Sequence, residues 1–565
     1  MTKIIEKIVE TKSCQKCQIS FDITDRDLEF YDKVSPVFTG EKMVIPIPTL
    51  CPECRQQRRM AWRNERYLYK RKCDATWKTI ISVYSPDKLY KVYNQDFWWG
   101  GNWDAVEYWI DYNSNAWFFE QLEKIIKKVP RLALSNSNKL NSDFCNHTTS
   151  MKDCYFVFWS AASEQCLYSN RIEKSDHVVD SSFVNNSSFI YECFDVKESY
   201  NMYFSQKSYN CSDSFYLFDC HNCQNCFWSV NLINKQYYIF NKQYSKEKYF
   251  DEINKLRHSY TYSEFKDRIK LNAIIKYSTI ENSEEVVWDS IYNSKAIAYS
   301  FWIYDSENIK YSQDLYNNSI NSYDCYSWYW PIEKCYECHS FGVGWYKNLF
   351  VSDCYPAREV LYSDNCYSCS HLFGCAWLQN KQYCILNKQY TQQEYEELVP
   401  KIIEKMKQNW EWWEFLPSHI SPFGYNESVV SEYFPLEKED AIAAWLNWSD
   451  YETPFPKVER IIPTNKLPEN IWDVPDDILN WAIECEITKK PFKIIPQELE
   501  FYRKHNISIP KRHPDQRHLD RVALRNPGKL FERGCDSCNK TMQTSYASEW
   551  PEKVYCEECY NKEIY

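Results

Sequence analysis

From Ser163 to Ser205 every third residue is small or apolar: Ser163, Cys166, Ser169, Ile172, Ser175, Val178, Ser181, Val184, Ser187, Ile190, Cys193, Val196, Ser199, Met202, Ser205. An α-helix would add matches at i+4, and a half-buried strand would alternate by two. Strict threes fit a narrow β-solenoid, in which short strands and corners repeat and small side chains stack inside. Small and aliphatic residues alternate within the register, so the full period is six, with a strong twelve. The register returns at Ser294, Ile297, Ser300, Ile303, Ser306, Ile309, Ser312 and Leu315, and again from Val351 to Leu378. Tight 12-residue coils account for this best. A hexapeptide helix and a wider right-handed β-helix stay open as alternatives.

The solenoid is itself duplicated. Asn234-Lys235-Gln236-Tyr237 recurs 146 residues later as Asn380-Lys381-Gln382-Tyr383. Both copies continue as a second Asn-Lys-Gln-Tyr and then a charged, helix-like stretch (245–255 and 391–407). Terminal hairpins with capping helices would cover an open solenoid edge in this way; a binding role for the motif is the alternative. The implied units are solenoid repeats at 140–250 and 281–400, with a helical insertion at 251–280. A Pro- and aromatic-rich linker at 410–475 follows.

The chain has 26 cysteines. Sixteen, from Cys145 to Cys384, fall mostly on the inward register, where a thiol is a small apolar filler. Metal binding by Cys220, Cys223 and Cys226 is the sharper alternative. The other cysteines gather at the two ends, in modules at 1–130 and 480–565. Cys14-x-x-Cys17 with Cys51-x-x-Cys54, and Cys535-x-x-Cys538 with Cys556-x-x-Cys559, each offer the four soft ligands that tetrahedral Zn²⁺ requires. The two ends also align without a gap, 51–97 on 513–559, with 16 identities in 47 positions. Each module therefore carries two potential sites, and each has lost one. Cys73, Thr76, Asn94 and Phe97 cannot complete a metal shell, nor can Cys485, Thr488, His513 and Gln516. The expectation is two Zn²⁺ per chain.

Residues 12–56 resemble the "probable zinc-ribbon domain" family, through Cys14-x-x-Cys17, Phe21, Leu28-Glu29-Phe30-Tyr31, Pro46, Pro48 and Cys51-x-x-Cys54-Arg55. Over its length the chain resembles a family of zinc-ribbon proteins from candidate-phyla bacteria. Arg63-Asn64-Glu65-Arg66, Tyr84-Ser85-Pro86-Asp87-Lys88, Trp98-Trp99, Ser421-Pro422-Phe423, Tyr425-Asn426-Glu427 and Asn380-Lys381-Gln382-Tyr383 carry that resemblance. It implies architecture and no catalytic role. The fold class expected is mostly β: a central parallel β-solenoid in two repeats, capping helices, and duplicated zinc-ribbon or treble-clef-like modules.

Function is constrained mainly by exclusion. No run approaches 18 apolar residues, and the N-terminus lacks the core of a secretory signal, so a cytoplasmic protein without a membrane span is expected. Ten histidines are scattered, with no HExxH pair, nucleophile elbow or phosphate loop. An enzyme is thus poorly supported, a carbohydrate-active solenoid being the remaining option. The leading expectation is a zinc-binding, non-catalytic scaffold that presents its solenoid to a protein partner. RNA is the alternative partner, because Arg55–Lys72 holds eight basic residues and one acid in a chain of net charge -11. Its candidate phosphate contacts are Arg55, Arg58, Arg59, Arg63, Arg66, Arg517, Arg521 and Arg525. The same arginines could instead pair with the acidic solenoid or hold the two modules together. Oligomeric state is not fixed by the sequence.

Composition adds one anomaly. The chain has 9 Gly and 23 Trp, whereas about 7% Gly is ordinary. Tryptophan stands at 77, 109, 159, 228, 377, 410, 413 and 445, where the resemblance calls for glycine. Translation of UGA as Trp, in place of Gly, would explain both numbers.

Overall fold

The computed structural model describes residues 6–257, 259–328, 331–339, 344–412, 414–455 and 457–565. Two parallel β-solenoids form its centre. In the first, each strand pairs with the chain 12 residues on, as in Asn146↔Phe158, Ser182↔Phe194 and Phe215↔Phe227. The second follows the same plan with looser register. Coils of 11, 12 and 13 residues occur, as in Glu284↔Lys295, Leu372↔Cys384 and Tyr323↔Tyr336.

The period of three has a backbone cause. Every third residue of the first solenoid turns through positive φ, from Asn138 (50°) to Phe240 (53°). Each side of a coil is therefore two extended residues and one left-handed corner. The left-handed region costs about 1–2 kcal/mol for most L-residues, and less for Asn and Asp. Asn and Asp recur at these corners and bond along the stack: Asn201 donates to Asp213 at 2.8 Å, and Asn231 to Asp219 at 2.8 Å, each one coil away.

The residue after each corner points inward, and its side chain repairs the backbone. Ser181 Oγ donates to the Val179 carbonyl (2.9 Å) and accepts from the Cys193 amide one coil on (3.0 Å). Ser169 and Ser187 repeat the device, and Cys193 Sγ does the same with Tyr191 O and the Ser205 amide. Serine and cysteine are selected because they supply this pair of bonds to groups sealed from water. Val178, Val184 and Ile190 fill the space between them and are fully buried.

Each solenoid ends in an antiparallel hairpin, Gln236–Ile239 with Lys242–Gln243 and Gln382–Ile385 with Lys388–Gln389. Capped helices follow, Lys246–Leu256 and Gln392–Gln408. The motif thus closes the last coil, and a second helix, Tyr262–Asn272, packs on the solenoid strands Ser212–His221 and Gln224–Val230. The two solenoids lie side by side through Phe183 on Trp302 (5.1 Å) and Arg171 paired with Asp314 (3.2 Å).

The terminal modules cross over. Arg55 and Arg59 of the N-terminal module meet the second solenoid at Asp324, and Arg517 and Arg521 of the C-terminal module meet the first at Asp180. Equivalent helices, Pro52–Met60 and Pro514–Val522, make equivalent contacts.

Six of the anomalous tryptophans sit at positive φ: Trp77, Trp159, Trp228, Trp377, Trp410 and Trp445. Trp109 does not (φ -56°), and Trp413 lies outside the described residues. Counting coils back from the hairpins, Trp228 of the first solenoid corresponds to Gly374 of the second (φ 65°).

Candidate metal centres

Two groups of four cysteines converge: Cys14, Cys17, Cys51 and Cys54, and Cys535, Cys538, Cys556 and Cys559. In each, the four sulfurs lie within 4.8 Å of one another. Cys17 and Cys51 sulfurs are 3.7 Å apart, and those of Cys538 and Cys556 are 3.8 Å apart. A tetrahedron with ~2.3 Å metal–sulfur bonds has an edge of ~3.8 Å. Both groups therefore fit a four-coordinate ion held entirely by thiolates, a shell that zinc and iron both accept.

The local folds explain the convergence. In each module the first pair sits on a knuckle: the Cys14 amide bonds Ile19 O (3.0 Å) and the Gln18 amide bonds Cys14 O (2.9 Å). Cys535 repeats this with Lys540 and Asn539. The residue closing each knuckle is left-handed, Gln18 at 64° and Asn539 at 59°. The second pair comes from the first turn of a helix, with Cys51 or Cys556 at the N-cap. A hairpin knuckle facing a helix start is a treble-clef-like arrangement. The Cys51 thiol is drawn down to about 5 by hydrogen bonding from Cys54, as suits a metal-ligating thiolate.

The two lost sites keep the fold without the ligands. Cys73 still forms a knuckle with Lys78 and Trp77, and Asn94 caps the facing helix. The Asn94 amide now donates to Cys73 Sγ at 3.3 Å. Cys485 keeps its knuckle with Lys490 and Lys489, opposite His513. Neither set, nor Cys220 with Cys223 and Cys226, brings three or more metal-ligating atoms together among the described residues. The solenoid thiols instead bond carbonyls, as Cys223 does with His221 O and Leu232 O at 3.3 Å each.

The eight arginines proposed for phosphate are turned inward. Arg55 clasps Asp324 through Nε (2.9 Å) and Nη2 (2.8 Å), and Arg59 reaches the same carboxylate at 3.0 Å. Arg58 bridges Glu337 (2.6 Å) and Glu414. On the other half, Arg517 and Arg521 converge on Asp180, and Arg517 also meets Glu498. Arg63 pairs with Glu65 (2.6 Å), Arg525 with Asp314 (2.7 Å) and Arg66 with Asp515 (2.8 Å). None of these side chains is more than 11% exposed. Burial alone would raise the Asp314 carboxyl, but Arg171 and Arg525 beside it hold it below the ordinary range. Arg55, Arg58, Arg59, Arg517, Arg521 and Arg525 thus form module-to-solenoid ion pairs, the internal alternative to phosphate contact, while Arg63 pairs with Glu65 of its own module. Only Arg66, through Asp515, joins one module to the other.

Sequence reasoning missed the acceptors. Asp180 and Asp324 occupy matching corners of the two solenoids (φ 48° and 55°), and the 12-residue register was the signal that could have paired them. Among the described residues no helix is long and apolar enough to cross a membrane.

No protein family model matches the chain, and no curated protein matches it. A solved structure from Desulfovibrio desulfuricans G20, a "putative acetyltransferase", aligns at 11% identity and a TM-score of 0.11. That alignment covers 43% of this chain and 63% of the other, and a score so low carries no argument about fold or function.

Proposed function

We propose that this protein is a zinc-stabilised, non-catalytic scaffold whose two terminal modules clamp a double solenoid and present it to a protein partner. The observation carrying this reading is the pair of equivalent clamps, Arg55 and Arg59 on Asp324 and Arg517 and Arg521 on Asp180. A bound ion fixes the start of the N-terminal clamp helix directly, because Cys51 caps it and Cys54 lies in its first turn. In the C-terminal module the ion fixes the knuckle and the last helix, which carries Tyr560 onto Asp219 of the first solenoid (2.5 Å). Metal binding is therefore coupled to docking as well as to local folding.

A protein partner is favoured over RNA because the clustered arginines already have internal carboxylates. The resemblance to zinc-ribbon proteins of candidate-phyla bacteria agrees with a structural role for the metal. Elemental analysis of the purified chain tests the reading, with two equivalents of zinc expected. One equivalent is lost with Cys14→Ser and the other with Cys556→Ser. Iron in place of zinc, four equivalents, or none would overturn it. Pull-down with and without nuclease, repeated at high salt, should retain the partners; loss under nuclease would favour RNA.

A further inference from the structure

The two halves of the molecule differ in one charge, and a groove opens where they differ. Following the corner register, Glu192 of the first solenoid matches Glu337 of the second, each one coil beyond the shared acceptor Asp180 or Asp324. Both turn through positive φ, at 51° and 47°. Glu337 is neutralised twice, by Arg58 at 2.6 Å and by Arg59 at 3.1 Å. Further along its row Trp412 lies over Phe350 (6.5 Å) and Tyr362 (6.0 Å), so this side of the second solenoid is roofed by the chain itself.

Glu192 has neither cation. In the aligned modules Asp520 stands at the position of Arg58. Arg521, the equivalent of Arg59, turns instead to Asp180 and to the Tyr168 carbonyl (2.9 Å). The Glu192 side chain makes no hydrogen bond or ion pair among the described residues. Burial and Asp180 raise its carboxyl to about 7, against the pull of Arg521 and Arg517 and with a further push from Asp520.

Glu192 lines a groove of about 850 Å³ between the Tyr262–Asn272 helix and the C-terminal module. That volume is within the range of ligand sites. Tyr191, Phe204 and Tyr216 form part of the same wall, and aromatic faces beside a carboxylate suit an organic cation. The basic residues along the groove leave this carboxylate unanswered. Lys511 pairs with Glu469 (2.8 Å), and Arg512 with Glu486 (2.6 Å) and Asp520 (2.7 Å). Arg257 stands over Phe215 at 4.4 Å, and Lys266 over Tyr262 at 5.2 Å.

We propose that Glu192 and this groove bind an arginine side chain of a partner protein, whose guanidinium takes the place that Arg58 holds in the other half. The aromatic wall covers the apolar stem of that side chain. This deepens the scaffold reading and rests on it. Failure of the groove leaves the metal clamps standing, since those are tested separately by zinc content.

The test is thermal unfolding of the full, zinc-loaded chain, titrated with N-acetyl-arginine amide above the Glu192 value of about 7, where that carboxyl is charged. A saturable rise in the midpoint is expected, because a ligand of the folded state stabilises it by mass action. The citrulline counterpart, of the same shape but neutral, should give no rise. Glu192→Gln should weaken binding about tenfold, as expected for loss of a charge-assisted contact. Asp520→Arg supplies a guanidinium from the chain itself and should abolish binding, with zinc content unchanged in both variants. No rise with the parent chain, an equal rise with the citrulline compound, or affinity indifferent to either variant would overturn the proposal.

Discussion

Trp410 and Trp445 end helices in a conformation that suits glycine. The helices Gln392–Gln408 and Lys438–Ala443 are each followed by a cap residue and then by one of these tryptophans, at φ 60° and 57°. The next amide reaches back five residues, Glu411 to Met406 O at 2.8 Å and Leu446 to Ala441 O at 3.0 Å. These are the six-to-one bonds of Schellman endings, whose left-handed residue is usually Gly and sometimes Asn. A third helix, Pro496–His505, closes in the same way on Asn506, with Ile507 bonded to Tyr502 O at 2.8 Å. Replacing Trp by Gly removes about 1–2 kcal/mol of left-handed strain. Added freedom of the unfolded chain takes back about 0.4–1 kcal/mol. Little burial is lost, because the side chains are 78% and 86% exposed. The net expectation is a gain of about 0.5–1 kcal/mol per site, which slows local exchange of the Glu411 and Leu446 amides roughly two- to fivefold. Hydrogen exchange read by mass spectrometry checks this for Trp410→Gly and Trp445→Gly. Trp412→Gly is the opposite control, since that indole is fully buried and its loss should cost about 3–5 kcal/mol. Unchanged or faster exchange in both cap variants would refute the reasoning. The same physics bears on the composition anomaly: mass spectrometry of the protein from its own host should read Gly at 77, 377, 410 and 445, and Trp at 77 and 377 would end that idea.

Asp180→Asn removes the shared acceptor of Arg517 and Arg521 and leaves buried cations uncompensated, so a loss of about 3–5 kcal/mol is expected. Limited proteolysis should then release the C-terminal module first; unaltered resistance would argue against the clamp. Ser181→Ala strands the Cys193 amide and should cost about 1–3 kcal/mol, with Ser181→Cys milder, as thermal unfolding would show. Glu192 has its carboxyl raised to about 7 by burial and by Asp180, against the opposing pull of Arg521 and Arg517. The folded state holds that proton longer than the unfolded chain. Its stabilising effect is therefore full below the ordinary value of 4.5 and is lost as pH rises through about 7. Glu192→Gln should flatten the fall in thermal midpoint over that window; an identical pH profile would contradict the assignment.

How much of this was legible in the sequence follows from the range of each interaction. The inward register from Ser163 to Ser205 could be read because the constraint repeats every three residues, and each Ser or Cys satisfies backbone groups within its own coil and the next. The two four-cysteine groups could be read because each knuckle is local and thiolate chemistry admits few alternatives. The corner conformation was only half visible: Asn and Asp suggest it, but Phe183, His177 and Glu192 occupy the same left-handed position with no local preference for it. The register imposes that backbone on whatever residue falls there. The crossing of the modules left no local trace. Arg55 and Arg517 are 462 positions apart and visibly equivalent, yet their partners Asp324 and Asp180 are ordinary acids among 78. What singles them out is the register, since each sits at a corner on the row that also carries Glu337 or Glu192. A basic helix in a sequence is therefore ambiguous between phosphate and carboxylate until the acidic face it can reach is counted. Here the solenoid supplies that face twice, and the ion pairs it forms are what make two distant four-cysteine modules parts of one structure.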